Sequence, residues 1–198
     1  MRRVFLLLVV IAAFFAGGYV FAIRGEHQST DTTTTSSPST VPSTSTSTST
    51  TSTEKVAPPC TSDLLTATLT PTGGGLGSAT FQLRVQNTGA EACTVRGYLA
   101  LQLRDAAQGA LPTNVIPTTS GFKDASANHA PSLVTLAVGA TALSDGVYPT
   151  VPAGSERTCA IASSMSLTVP QTTTPLSVTT TISPCARGLI RLSPLFGA

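Results

Sequence analysis

The sequence predicts an all-β domain, an antiparallel two-sheet Ig-like sandwich with two disulfides, preceded by one transmembrane helix and a disordered stalk. Three observations predict it. Residues 57–198 break into short runs that alternate apolar and polar, bounded by Gly or Pro. Four cysteines, Cys60, Cys93, Cys159 and Cys185, all fall in that region. An unbroken apolar run and then a Ser/Thr tract precede it.

The apolar run opens at Val4 and closes at Ile23, and its twenty residues carry no charge. At about 1.5 Å per helical residue they span roughly 30 Å, the thickness of a bilayer core. Arg2 and Arg3 precede the run, whereas Arg24 and Glu26 roughly cancel after it. The positive-inside bias therefore makes residues 1–3 a cytoplasmic tip and places everything after Arg24 outside. Val20-Phe21-Ala22 is a tolerable cleavage pattern, but a signal-peptide core is normally shorter, about 7–15 residues. A single-pass signal anchor in the cell membrane is the preferred reading, with secretion after cleavage as the alternative. The first cysteine after the run is Cys60, too distant to carry a lipid at the membrane exit.

Residues 24–56 read as the stalk. Between Ser29 and Thr53, 21 of 25 residues are Ser or Thr. Such a segment has too little apolar surface to offset the entropy lost on ordering. An exposed spacer follows, with hydroxyls and prolines suited to O-glycosylation.

Within residues 57–198 the clearest strand signal is 79–86, which alternates over eight residues before the Asn87-Thr88-Gly89 turn. Residues 93–104 read as one strand with Cys93, Val95, Leu99, Leu101 and Leu103 on one face. Residues 65–69 alternate likewise, and further runs cover 133–138, 140–147, 159–169, 176–182 and 189–192. That makes about eight short strands with no convincing helical period, the pattern of a sandwich. Gly73-Gly74-Gly75-Leu76-Gly77 lacks the Lys-Ser/Thr of a phosphate-binding loop and reads as a flexible hairpin loop.

Exported, even in number and widely spaced, the four cysteines read as two disulfides. Three pairings are open. The preferred one, Cys60–Cys93 with Cys159–Cys185, closes loops of about 33 and 26 residues, each contributing roughly 3.5 kcal/mol by loop entropy. Metal binding is the weaker reading, because no Cys-x-x-Cys occurs and His129 is the domain's one histidine.

The order of these elements resembles the bacterial family catalogued as domain of unknown function 4232. Pro59-Cys60 opens the likeness. Val85-Gln86-Asn87-Thr88-Gly89 followed by Cys93-Thr94-Val95-Arg96-Gly97-Tyr98 continues it. Val134-Thr135-Leu136, Gly139-Ala140, Cys159, Cys185 and Gly188-Leu189-Ile190 complete it. Leu99 stands where the family usually has proline, and Tyr148 takes the place of an expected tryptophan. The resemblance implies exported or lipid-anchored proteins of high-GC Gram-positive bacteria with a sandwich fold and no established activity. It carries over no functional residues.

Chemistry is sparse. Seven basic and six acidic residues are scattered through residues 57–198 without a run of one sign, which excludes a nucleic-acid footprint. No cofactor, metal or catalytic set is expected. A Ser-His-Asp arrangement with His129 and either Asp124 or Asp145 is possible on paper, but no nucleophile-elbow pattern supports it. Residues 105–131 form the longest stretch without a confident strand and hold Phe122, Lys123, Asp124, Asn128 and His129. That stretch, with Arg96 and Tyr98 on the polar face of their strand, is the expected recognition surface. The expected function is a non-enzymatic, membrane-tethered envelope module that binds an envelope protein or glycan. The alternatives are a hydrolase using His129 and a passive cell-wall spacer.

Overall fold

The computed structural model describes residues 56–198. The expected membrane span, residues 4–23, and the expected stalk lie outside the described residues except for Val56. Among the described residues no helix is long and apolar enough to cross a membrane.

Among the described residues eleven strands follow one another along the chain. They are β1 (Leu65–Gly75), β2 (Ser78–Asn87), β3 (Cys93–Arg96), β4 (Ala100–Arg104), β5 (Asn114–Pro117), β6 (Leu133–Leu136), β7 (Thr141–Pro149), β8 (Ala162–Thr168), β9 (Leu176–Ile182), β10 (Leu189–Leu192) and β11 (Phe196–Gly197). The architecture is all-β and sandwich-like, but its strands form three hydrogen-bonded sheets instead of the two expected. A six-stranded sheet runs β1-β2-β7-β10-β5, with β11 also paired to β7. A three-stranded sheet runs β4-β8-β9, and β3 pairs with β6. The pairing is antiparallel except between β10 and β5, which run parallel.

The third sheet has a local cause. Residues 93–104, read as one strand, break at Gly97, whose φ of 113° leaves the extended region open to L-residues. The Gly97 carbonyl accepts from the Leu195 amide at 2.8 Å. On either side of this break β3 pairs with β6 and β4 with β8. A similar sharing occurs along β7. Its Gly146 and Val147 pair with β10, its Ala142 and Leu143 pair with β11, and Ser193 spans the gap. The Ser193 amide donates to the Asp145 carbonyl at 2.9 Å, and its hydroxyl accepts from the Asp145 amide at 2.9 Å.

Alternation decides which residues meet. Phe81, Leu83 and Val85 of β2 point inward and join Leu103 of β4, Met165 of β8 and Ile190 of β10 in one core that all three sheets supply. Tight packing there depends on Gly146: it faces Phe81 across β2 and β7, and a Cβ on it would lie 2.1 Å from the Phe81 ring. Asn87, fully buried, ends β2. Its Nδ2 donates to the carbonyls of Glu91 (2.8 Å) and Leu136 (3.0 Å), and its Oδ1 accepts from the Gly89 amide at 2.9 Å. The Asn-Thr-Gly turn is therefore a buried knot joining β2 to β6, because an unpaired amide there would be costly.

The β1–β2 connection also differs from expectation. Gly73–Gly75 belong to β1, and the turn is the two residues Leu76 and Gly77, with φ of 48° and 82°. Positive φ at both central residues is the type I′ pattern whose twist matches that of the flanking strands. Pro71 is tolerated because β1 is an edge strand with a register shift between Pro71 and Gly73.

Both disulfides form with the sequential pairing, Cys60–Cys93 and Cys159–Cys185. They are consistent with an extracytoplasmic location.

Candidate functional site

The side chains of β2 and β7 that alternate away from the core build one wall of a groove on the outer face of the six-stranded sheet. Thr80 pairs with Val147, and Gln82 with Asp145, so these four residues form a square on that face. Gln82 Nε2 donates to Asp145 Oδ1 at 3.1 Å, and Thr72 Oγ1 donates to Thr80 Oγ1 at 3.0 Å. The opposite wall comes from the loop at Phe122, Lys123 and Asp124. The open groove has a volume of about 390 Å³, within the range of small-molecule sites.

That loop has a built shape. Asn128 closes it like a missing strand: its Oδ1 accepts from the Phe122 amide at 3.0 Å, and its Nδ2 donates to the Phe122 carbonyl at 2.9 Å and the Asp124 carbonyl at 2.8 Å. Asp124 accepts from the Ser126 amide at 2.8 Å and caps the single 3-10 turn Ala125–Ala127. The loop is held down by a second, smaller apolar cluster in which Phe122 and Ala127 pack on Leu143 and Phe196, with Val147 at its margin. Phe122 thus plugs the outer face of the sheet, leaving Lys123 and Asp124 exposed at the groove's lip.

Burial raises the pKa of Asp145 above the usual carboxylate value; the Gln82 hydrogen bond opposes this and the negative Asp124 nearby adds to it. The groove therefore offers two carboxylates, an amide, two hydroxyls and a lysine around an apolar base.

Of the six residues expected to form a recognition surface, Phe122, Lys123 and Asp124 line this groove, while Arg96, Tyr98 and His129 do not. Arg96 is exposed at the end of β3, and the break at Gly97 interrupts the alternation that was expected to set Tyr98 beside it. His129 lies edge-on to Phe196, with ring centroids 6.2 Å apart. Its Nδ1 meets the Ala130 carbonyl, and its Nε2 is buried without a partner. This placement lends the hydrolytic reading no support. Thr72, Thr80 and Gln82 escaped the sequence reading as site residues, and Asp145 entered it only as a paper partner for His129. The signal that would have found them is their outward position in the alternation of β1, β2 and β7.

The fold and groove define a disulfide-stapled, all-β domain with a polar-lipped groove. The model of the family described as domain of unknown function DUF4232 matches residues 60–194, and the chain belongs to that family. No curated protein and no solved structure matches the chain significantly.

Proposed function

We propose that the chain is an Ig-like, membrane-tethered extracytoplasmic module that binds a cell-envelope glycan or protein through the groove between β2, β7 and the Phe122–Asp124 loop. The observation that carries this reading is the groove itself. Its polar groups converge from two strands and from a loop that Asn128 braces, which is the arrangement of a preorganised site. Amide, hydroxyl and carboxylate groups above an apolar base suit a ligand with many hydroxyls and one weakly apolar face, and a glycan has both. The apolar run of residues 4–23 and the Ser/Thr tract support tethering at a distance from the membrane.

The test has two arms. The full chain in detergent is titrated with solubilised envelope glycans, and binding is read by calorimetry for the wild type, for a Gln82→Ala/Asp124→Ala variant and for Arg96→Ala. The groove variant is expected to bind at least tenfold more weakly and Arg96→Ala unchanged. Equal binding by all three proteins sets the groove aside. Protease treatment of intact cells is expected to digest the domain. Survival of the domain until lysis refutes the extracytoplasmic placement.

A further inference from the structure

The Cys159–Cys185 disulfide sits beside an unusual piece of backbone. Ala186 (φ 52°, ψ 47°) and Arg187 (φ 59°, ψ 42°) both adopt the left-handed conformation, and Gly188 follows with φ of 75°. L-residues avoid that region, so something must hold them there. Two contacts do. A Cβ on Gly188 would lie 1.9 Å from the Pro112 carbonyl oxygen, so only glycine lets the chain pass Pro112. On the other side, the carboxylate of Glu156 accepts from the Ala186 amide at 2.7 Å (Oε2) and from the Arg187 amide at 3.3 Å (Oε1). Successive amides in such a turn make a concave anion cradle. Here the cradle grips a carboxylate supplied by the same chain.

The cradle has a chemical consequence. It holds Glu156 so that a carboxylate oxygen and the sulfurs of Cys159 and Cys185 all lie within 4.8 Å of one another. Cys185 is fully buried, but Glu156 and Cys159 are half-buried, so the cluster can be approached from solvent. Each carboxylate oxygen has used one lone pair on an amide and keeps another. A tetrahedral zinc-type ion with about 2.3 Å bonds to sulfur and about 2.0–2.2 Å bonds to oxygen places its ligand atoms roughly 3.4–3.8 Å apart. The bonded sulfurs of the disulfide lie closer together than this, and reduction lets them part to it with the carboxylate already at hand. Among the described residues no other group of His, Cys, Asp or Glu is gathered this closely, so the other disulfide, Cys60–Cys93, brings no such third ligand.

We propose that Cys159, Cys185 and Glu156 form a redox-gated site for a soft divalent cation of the zinc type, closed while the disulfide is intact and opened by its reduction. A phosphine reductant carries this out with water: the phosphine gains the water oxygen, the S–S bond breaks, and the two hydrogens pass to the sulfurs as thiols. Cation binding then displaces both thiol protons, giving two thiolate bonds and one carboxylate bond, with the fourth position left to water. Thiolates select a soft cation over magnesium or calcium. The amides of Ala186 and Arg187 act from behind the carboxylate, fixing its orientation.

Cobalt(II) serves as the spectroscopic probe, because thiolate ligation produces a near-ultraviolet charge-transfer band. The full chain is titrated anaerobically before and after phosphine reduction. The oxidised chain is expected to show no band. The reduced chain is expected to saturate at one cobalt per chain, to lose the band when zinc is added, and to bind at least tenfold more weakly as Glu156→Gln. Reduction also opens Cys60–Cys93, so thermal melting of the reduced chain is followed with and without zinc. Zinc raises the midpoint of the wild type more than that of Glu156→Gln if the native cluster holds the ion. No band after reduction, an equal affinity in Glu156→Gln, an equal midpoint shift in both proteins, or a reduced chain that zinc leaves unfolded overturns the proposal.

Discussion

Asp145 shows how one residue can serve a groove at the expense of the fold. Its carboxylate sits partly buried beside Gln82, with a second negative charge at Asp124. A raised pKa means that the folded chain binds this proton more tightly than the unfolded chain does. Stability is therefore greatest at this residue below the ordinary value of 3.8 and falls as pH rises through the higher folded value. Asn in place of Asp145 keeps an oxygen to accept from Gln82 and removes the charge. Asp145→Asn is accordingly expected to melt higher than the wild type at pH 7, with the gain shrinking as pH falls below the folded pKa and vanishing below the unfolded one. Melting curves across that range check it, and a gain that is independent of pH contradicts the burial account. A charged residue where a neutral one is expected to be more stable fits the ligand-facing role proposed for the groove.

Among the elements, the β1–β2 hairpin carries a comparable cost in its backbone. Leu76 occupies the first position of the turn at a φ of 48° with its side chain fully exposed, so no burial compensates the left-handed strain. Asn is the residue that accepts this conformation and forms the Asn-Gly pair typical of such turns. Leu76→Asn should raise stability by about 1 kcal/mol, read as a higher urea midpoint with an unchanged slope; an unchanged or lower midpoint counts against strain at this turn. The same scale explains what the sequence made legible. β2, β8, β9 and β10 were readable because each carries enough alternation, or enough apolar length, to mark its buried face within the strand itself. β5 and β11 were not. β5 has four residues, only one of them even half-buried, and exists through its parallel partner β10. β11 has two residues and borrows the edge of β7. The break at Gly97 was hidden because a glycine inside an alternating run has the same appearance whether or not it leaves the strand. The groove was half legible for a related reason. Phe122, Lys123 and Asp124 stood out in a long unassigned stretch, whereas the pairing of Gln82 with Asp145 is a matter of register between strands far apart in sequence, which no local pattern records.

For the molecule as a whole, the two disulfides divide the chain into separately closed loops. Cys60–Cys93 spans a sequence separation of 33 and Cys159–Cys185 one of 26, and the two loops do not overlap. Cys60 also begins where the chain enters the fold: the Cys60 amide donates to the Thr94 carbonyl at 2.9 Å, and the Thr94 amide donates to the Pro58 carbonyl at 2.8 Å. The first bridge thus fastens the domain's entry segment to β3, while the second fastens the left-handed turn after β9 to the approach to β8. Each loop removes roughly 3.5 kcal/mol of unfolded-state entropy. Because the loops are disjoint, each bridge constrains a part of the unfolded chain that the other leaves free, and their contributions should add. Replacing both cysteines of one pair by Ala is expected to cost about 3–4 kcal/mol, and replacing all four close to the sum. Chemical denaturation of the three variants measures this directly. If the four-cysteine variant loses much less than the two pairs together, the bridges share a constraint in the unfolded chain. If it loses much more, the folded domain itself depends on having at least one of them, and the core described here is too small to stand without a covalent staple.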